Sequence, residues 1–144
     1  MRRSEQRRDA VFALYQHEVT GAPIEALIER GPFPDGPGDR EAPVPEGPLT
    51  EFAADLVRGV EDHAAELDSH IAGAARDWAV DRIAPLERSI LRVALYEILH
   101  RPDVPDEVAI DEAVEAAKEL CSADAPGFVN GILGAVHRES VGST

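Results

Sequence analysis

The residues best suited to chemistry stand at the start of the chain. Arg2, Arg3, Arg7 and Arg8 fall within eight residues and are opposed there only by Glu5, a local balance of +3. Guanidinium groups pair bidentately with phosphate and stack on splayed bases, so this pattern points to RNA contact. Arg3 and Arg7 lie one helical turn apart and run into the stripe continued by Val11 and Leu14. Arginine on a core stripe is not buried without a partner. The helix start is therefore expected to overhang the body or to meet another molecule. A solvated, salt-bridged helix start is the competing reading. Positive charge at a helix N-terminus is disfavoured by ~0.3–1 kcal/mol, which fits a functional use of these arginines.

No other cluster makes a catalytic or metal site. Asp111, Glu112 and Glu115 share one helix, and such acidic faces are usually just solvated. His63 and His70 are seven residues apart and lack the i, i+4 pairing of a helical metal site; His17, His100 and His137 are scattered. Cys121, the single cysteine, can make no intrachain disulfide and falls on an apolar helix face, where it is expected to be buried and inert. The expectation is a non-enzymatic protein without cofactor or metal.

The whole chain works against RNA. Its net charge is −14 over 144 residues, which leaves about −17 outside the basic tip. A polyanion can approach only where charge is locally reversed. Thirteen of the fourteen basic residues are arginine, a bias that a GC-rich genome explains. Hydrophobic residues reach 44%, enough for a packed core in one domain of this length. The basic N-terminus has no apolar run behind it, and the most apolar helix, Ile90–Leu99, is interrupted by Arg92 and Glu97. A soluble, cytoplasmic protein without a membrane segment is expected.

Helices must position these groups, since no segment alternates with period two. Ser4 is placed as the cap of a first helix ending near Val19, closed by Thr20-Gly21, and Pro23–Glu29 forms a short second helix. Ten prolines and glycines between residues 31 and 48 predict a mobile surface loop. Thr50 caps a helix through Phe52, Leu56, Val57 and Val60, with a break between His63 and Leu67 before Ile71, Ala74 and Trp78. Pro85 opens a helix striped by Leu86, Ile90, Val93, Ala94 and Ile98, ended by Arg101–Pro105. Asp106 is placed as the cap of the next helix, carrying Ile110, Val114, Ala117 and Cys121. After a turn at Ser122–Pro126, the last helix carries Phe128, Ile132, Leu133 and Val136. Gly127, Gly131 and Gly134 form a smooth stripe, read as a helix-packing surface.

Five stretches in order resemble the NusB family: Ala13-Leu14-Tyr15-Gln16, Trp78 through Ile83, Glu87 through Glu97, Val104 through Lys118, and Phe128-Val129-Asn130-Gly131-Ile132-Leu133. Only residues 31–48 fall outside the resemblance. It implies an all-α fold of about seven helices in two small subdomains. It also implies a transcription antitermination factor that binds the boxA element of ribosomal RNA transcripts. The partner is NusE, also a small-subunit ribosomal protein, and the pair joins an RNA polymerase antitermination complex. Some relatives dimerise, so both monomer and homodimer stay open.

The resemblance places Tyr15 at the edge of the RNA and partner surface, with closure of the core as its alternative. It places Glu87 at a position implicated in partner or RNA recognition, with a solvent-facing first-turn carboxylate as the alternative. Asp124 and Phe128 fall where relatives hold part of their RNA surface. Phe128 is suited to stacking a base or to the core, and Asp124 is better suited to capping the helix than to meeting phosphate. Two competing functions remain. One is an RNA-recognition module of the kind found in ribosomal RNA methyltransferases, disfavoured because the chain ends about thirteen residues after Phe128–Gly131. The other is an acidic helical adaptor that binds only protein.

Overall fold

The computed structural model describes residues 2–31, 48–76 and 79–142. Seven α-helices occur among them, and no strand: α1 Arg3–Thr20, α2 Ile24–Arg30, α3 Glu51–Asp62, α4 Ala64–Ala74, α5 Pro85–His100, α6 Asp106–Leu120 and α7 Ala125–Gly142. A 3-10 turn, Val80–Arg82, precedes α5. The predicted loop lies almost wholly outside the described residues, as does Trp78.

Helix α5 organises the molecule. It packs against α1, α3, α4, α6 and α7, and Ile90, Leu91, Val93, Ala94 and Leu95 are all buried. A helix apolar on nearly every side has to be surrounded. Leu56, Val57 and Val60 of α3, Leu67 and Ile71 of α4, and Val129, Leu133 and Val136 of α7 close around it. Two ion pairs fix the direction of α1 against α5. Arg7 near the start of α1 meets Glu97 near the end of α5, while Glu18 near the end of α1 meets Arg88 near the start of α5. The two helices are therefore antiparallel.

Several boundaries follow local chemistry. Thr50 caps α3, its hydroxyl oxygen accepting from the Ala53 N–H at 3.2 Å. Gly21 ends α1 with φ of 76°, a left-handed conformation suited to glycine, and its N–H donates to the His17 carbonyl. Pro85 begins α5, where its missing N–H leaves no bond unmade. At Gly59 the Tyr96 ring lies so close that an added Cβ would stand 2.1 Å from it. Only glycine lets that ring reach Asp55, to which its hydroxyl donates at 3.0 Å.

Three expectations are corrected. Ser4 does not cap α1: the helix begins two residues earlier from Arg2, whose carbonyl takes the first N–H groups, and the Ser4 hydroxyl donates to Glu112 at 2.9 Å instead. Asp106 does not cap α6 either. Pro105 holds that position, and the Asp106 carboxylate pairs with the His137 ring. Among the described residues, the glycine stripe of α7 packs against no other helix. Gly127 and Gly131 are exposed and a Cβ on either would meet nothing within 4 Å, because α7 buries the side bearing Val129, Ile132 and Leu133.

Candidate nucleic-acid interface

The four arginines of the tip do not act alike once folded. Arg2 is the freest, its side chain 85% exposed and 3.7 Å from Glu5. Arg3 reaches across to the α5–α6 loop, with Nη2 3.3 Å from Asp103. Arg8 donates to Glu119 of α6 at 2.9 Å. Arg7 is buried, and its Nε and Nη2 donate to both carboxylate oxygens of Glu97 at 2.8–3.1 Å. The expectation that the arginine stripe must overhang or meet another molecule missed this arrangement. The partner of Arg7 comes from the same chain, ninety residues later.

The surface arginines follow α6. Arg3, Ser4 and Arg8 meet Asp103, Glu112 and Glu119 in order, so side chains of α1 reach across to the α5–α6 loop and to α6. The sequence hides this neutralisation, because every one of these carboxylates lies a hundred or more positions away. Apart from Arg7, the guanidiniums of the basic tip are thus already engaged by exposed carboxylates. Phe52, expected only as a helix-stripe residue, is half-buried beneath this tip. The guanidinium carbons of Arg3, Arg101 and Arg7 stand 4.3, 5.0 and 5.3 Å from its ring centroid.

A second region lies at the other end of α5. Arg82, Ile83, Glu87, Ser122, Asp124, Ala125 and Phe128 line a groove of about 370 Å³. It brings together Glu87, Asp124 and Phe128, three of the residues singled out from the sequence. Behind it, the buried Arg88 donates to the carbonyls of Val80 and the lining residue Ile83 at 3.1 and 2.7 Å and pairs with Glu18. Glu87 is partly buried, and that burial pushes its carboxyl above the usual range. Cys121 is half-buried instead of fully buried, and desolvation with the nearby Glu87 charge pushes its thiol up to about 11. Phe128 is half-buried against the core, whereas Asp124 is exposed and its carbonyl accepts from the Phe128 N–H at 3.3 Å. Tyr15 is half-buried on α1.

The ten-residue step along α5 from Glu87 to Glu97 amounts to about 15 Å of helix. The site residues therefore divide into an arginine end and a groove end, with the α1–α6 flank between them. No group of three or more metal-ligating side chains occurs among the described residues, and none of their helices is long and apolar enough to cross a membrane.

A body whose described residues fold into helices around one buried helix, with Arg2, Arg3, Arg7 and Arg8 at one end and a groove at the other, defines a small all-α protein. Residues 4–138 match the NusB family model. A transcription antitermination protein NusB from Symbiobacterium thermophilum is 44% identical over 147 residues, spanning 99% of this chain and 94% of that one. NusB of T. maritima superposes with a TM-score of 0.74 at 28% identity, over 96% of this chain and 92% of that one. A complex of antitermination factors NusB and NusE with double-stranded RNA contains a chain of the same fold, with TM-score 0.72 and 23% identity over 95% and 96%. The chain belongs to the NusB family.

Proposed function

We propose that this protein is a non-enzymatic transcription antitermination factor that binds boxA-type RNA of ribosomal RNA operons together with NusE, within an RNA polymerase antitermination complex. The observation that carries the reading is the exposed arginine edge. Arg2, Arg3 and Arg8 gather on one end of a molecule that is otherwise strongly acidic. A polyanion can seat there and is repelled elsewhere. Arg7 serves this edge from inside, by holding α1 against α5. Tyr15 lies two turns along α1, and the groove of Glu87, Asp124 and Phe128 gives an apolar, partly charged surface at the far end. A neighbour of the same fold forms a complex with NusE and RNA, which makes that pair the natural ligands to try first.

A narrow basic edge on a body of this charge predicts weak RNA binding alone and stronger binding with NusE present. The test is binding of a short boxA-like RNA across salt concentrations, with and without NusE, for wild type and for the triple variant Arg2→Ala, Arg3→Ala, Arg8→Ala. The reading predicts weaker binding and a shallower dependence on salt in the variant. An unchanged salt slope would remove the arginine edge from the mechanism. Binding to NusE with no RNA bound in any combination would favour the acidic-adaptor reading, which the carboxylate partner of every tip arginine makes a specific competitor.

A further inference from the structure

Asp103 occupies an unusual place. Its carboxylate accepts from Arg101 Nε at 3.0 Å and Nη2 at 2.9 Å, and from Arg3 Nη2 at 3.3 Å. Both guanidiniums lie within 5.0 Å of the Phe52 ring centroid, a distance at which an aromatic face holds a cation. Arg101 is also braced from behind, because its Nη1 donates to Asp55 at 2.9 Å and Asp55 accepts from the Tyr96 hydroxyl. Three elements thus converge: the start of α1, the start of α3 and the α5–α6 loop. Arg101 is fixed by the Phe52 ring and the Asp55 carboxylate, which leave its outer edge turned to Asp103. The Asp103 side chain is 48% exposed, so what lies in front of this pair of arginines faces solvent.

A carboxylate held bidentately by one guanidinium and singly by another has the charge and oxygen spacing of a phosphodiester. We propose that Arg101, Arg3 and Phe52 form a phosphate-binding subsite for single-stranded RNA, with Asp103 standing in the free protein where a backbone phosphate sits in the complex. The proposal rests on the RNA reading above and deepens it. Phe52 is a positioning residue: its ring lays the two guanidiniums side by side. Asp103 is a tethered competitor that RNA must displace, so it lowers affinity and suppresses binding to scattered phosphates.

The test uses the full chain and a labelled single-stranded boxA-like RNA, titrated at fixed salt with NusE present, with thermal melts on every variant. Asp103→Asn keeps the side-chain shape and is expected to bind about three- to tenfold tighter, the scale of one or two exposed ion pairs. Glu107→Gln removes the same charge from the exposed first turn of α6, where it holds no arginine among the described residues. It should change affinity by less than about twofold, since a solvated charge that touches neither arginine is largely screened by salt. Phe52→Leu should weaken binding while Phe52→Tyr restores it, and Asp103→Asn should gain little in the Phe52→Leu background. Equal effects of Asp103→Asn and Glu107→Gln would overturn the proposal, as would wild-type affinity in a folded Phe52→Leu. The RNA reading would survive either result if the Arg2, Arg3, Arg8 triple variant still weakened binding. Absence of RNA binding by wild type and all variants would sink both.

Discussion

Arg7 and Glu97 are joined by three hydrogen bonds of 2.8–3.1 Å, with the glutamate side chain 1% exposed and the arginine 10%. The pair ties the start of the first helix to the end of the central one. It converts what looks in sequence like one of four equivalent surface arginines into the internal anchor of the other three.

Removing one partner leaves the other charge buried and alone, which costs about 3–5 kcal/mol. Arg7→Ala and Glu97→Gln should each lower the unfolding free energy by that scale. The paired replacement Arg7→Met with Glu97→Leu should recover most of the loss. Urea denaturation of the four proteins checks this, and a double variant no better than the singles would mean the pair does not act as a unit.

The surface arginines should separate binding from stability. Arg2 and Arg8 make exposed or half-exposed ion pairs with Glu5 and Glu119, and such pairs contribute about 0–1 kcal/mol. Arg8→Ala is expected to shift unfolding free energy by less than about 1 kcal/mol. It should also reduce the salt slope of RNA binding by about one unit for each phosphate that Arg8 neutralises. Calorimetry alongside a salt titration reads both quantities on one sample.

Asp9 carries a pH signature. Its side chain is buried on α1, and burial first, then the nearby Glu5 charge, raises its carboxyl to about 6 from 3.8, while Arg8 pulls the other way. A carboxyl raised in the folded state favours folding only while protonated. Its contribution is fully present below about pH 4 and lost as pH rises through about 6. At neutral pH the ionised Asp9 therefore weakens the fold, and Asp9→Asn should stabilise it by on the order of 1–3 kcal/mol. Chemical denaturation at several pH values should show the gain at pH 7 and its disappearance at pH 4.

Gly59 is fixed by the Tyr96 ring, which an added Cβ would approach to 2.1 Å. The ring is held by its bond to Asp55 and by packing beside His100 and His63, with centroids 5.7 and 5.9 Å away. Gly59→Ala should cost ~1–3 kcal/mol through overpacking, against the usual gain from alanine in a helix. A melting temperature equal to or above wild type would show that the ring yields freely.

Much of this molecule was readable from the chain. The 3.6-residue stripes located six of the seven described helices, though α4 ends at Ala74 before the stripe expected to reach Trp78; Pro23 and Gly31 marked the short α2, and Thr50, Pro85 and Gly21 marked boundaries whose causes are local. The arginine cluster and the motif around Phe128 pointed to a NusB-type factor, because residue identity and short spacing suffice for both. Ser4 and Asp106 misled for one reason. Each side chain had a better partner on another helix, Glu112 or His137, and a local pattern cannot weigh a distant competitor. The same reason separates Arg7 from Arg3 and Arg8. Sequence determined that four guanidiniums gather at one helix start. Tertiary packing decided which was buried, which carboxylates held the others, and that Phe52 would lie beneath them. Electrostatic pairing depends on distances in space, and folding sets those distances between residues a hundred positions apart.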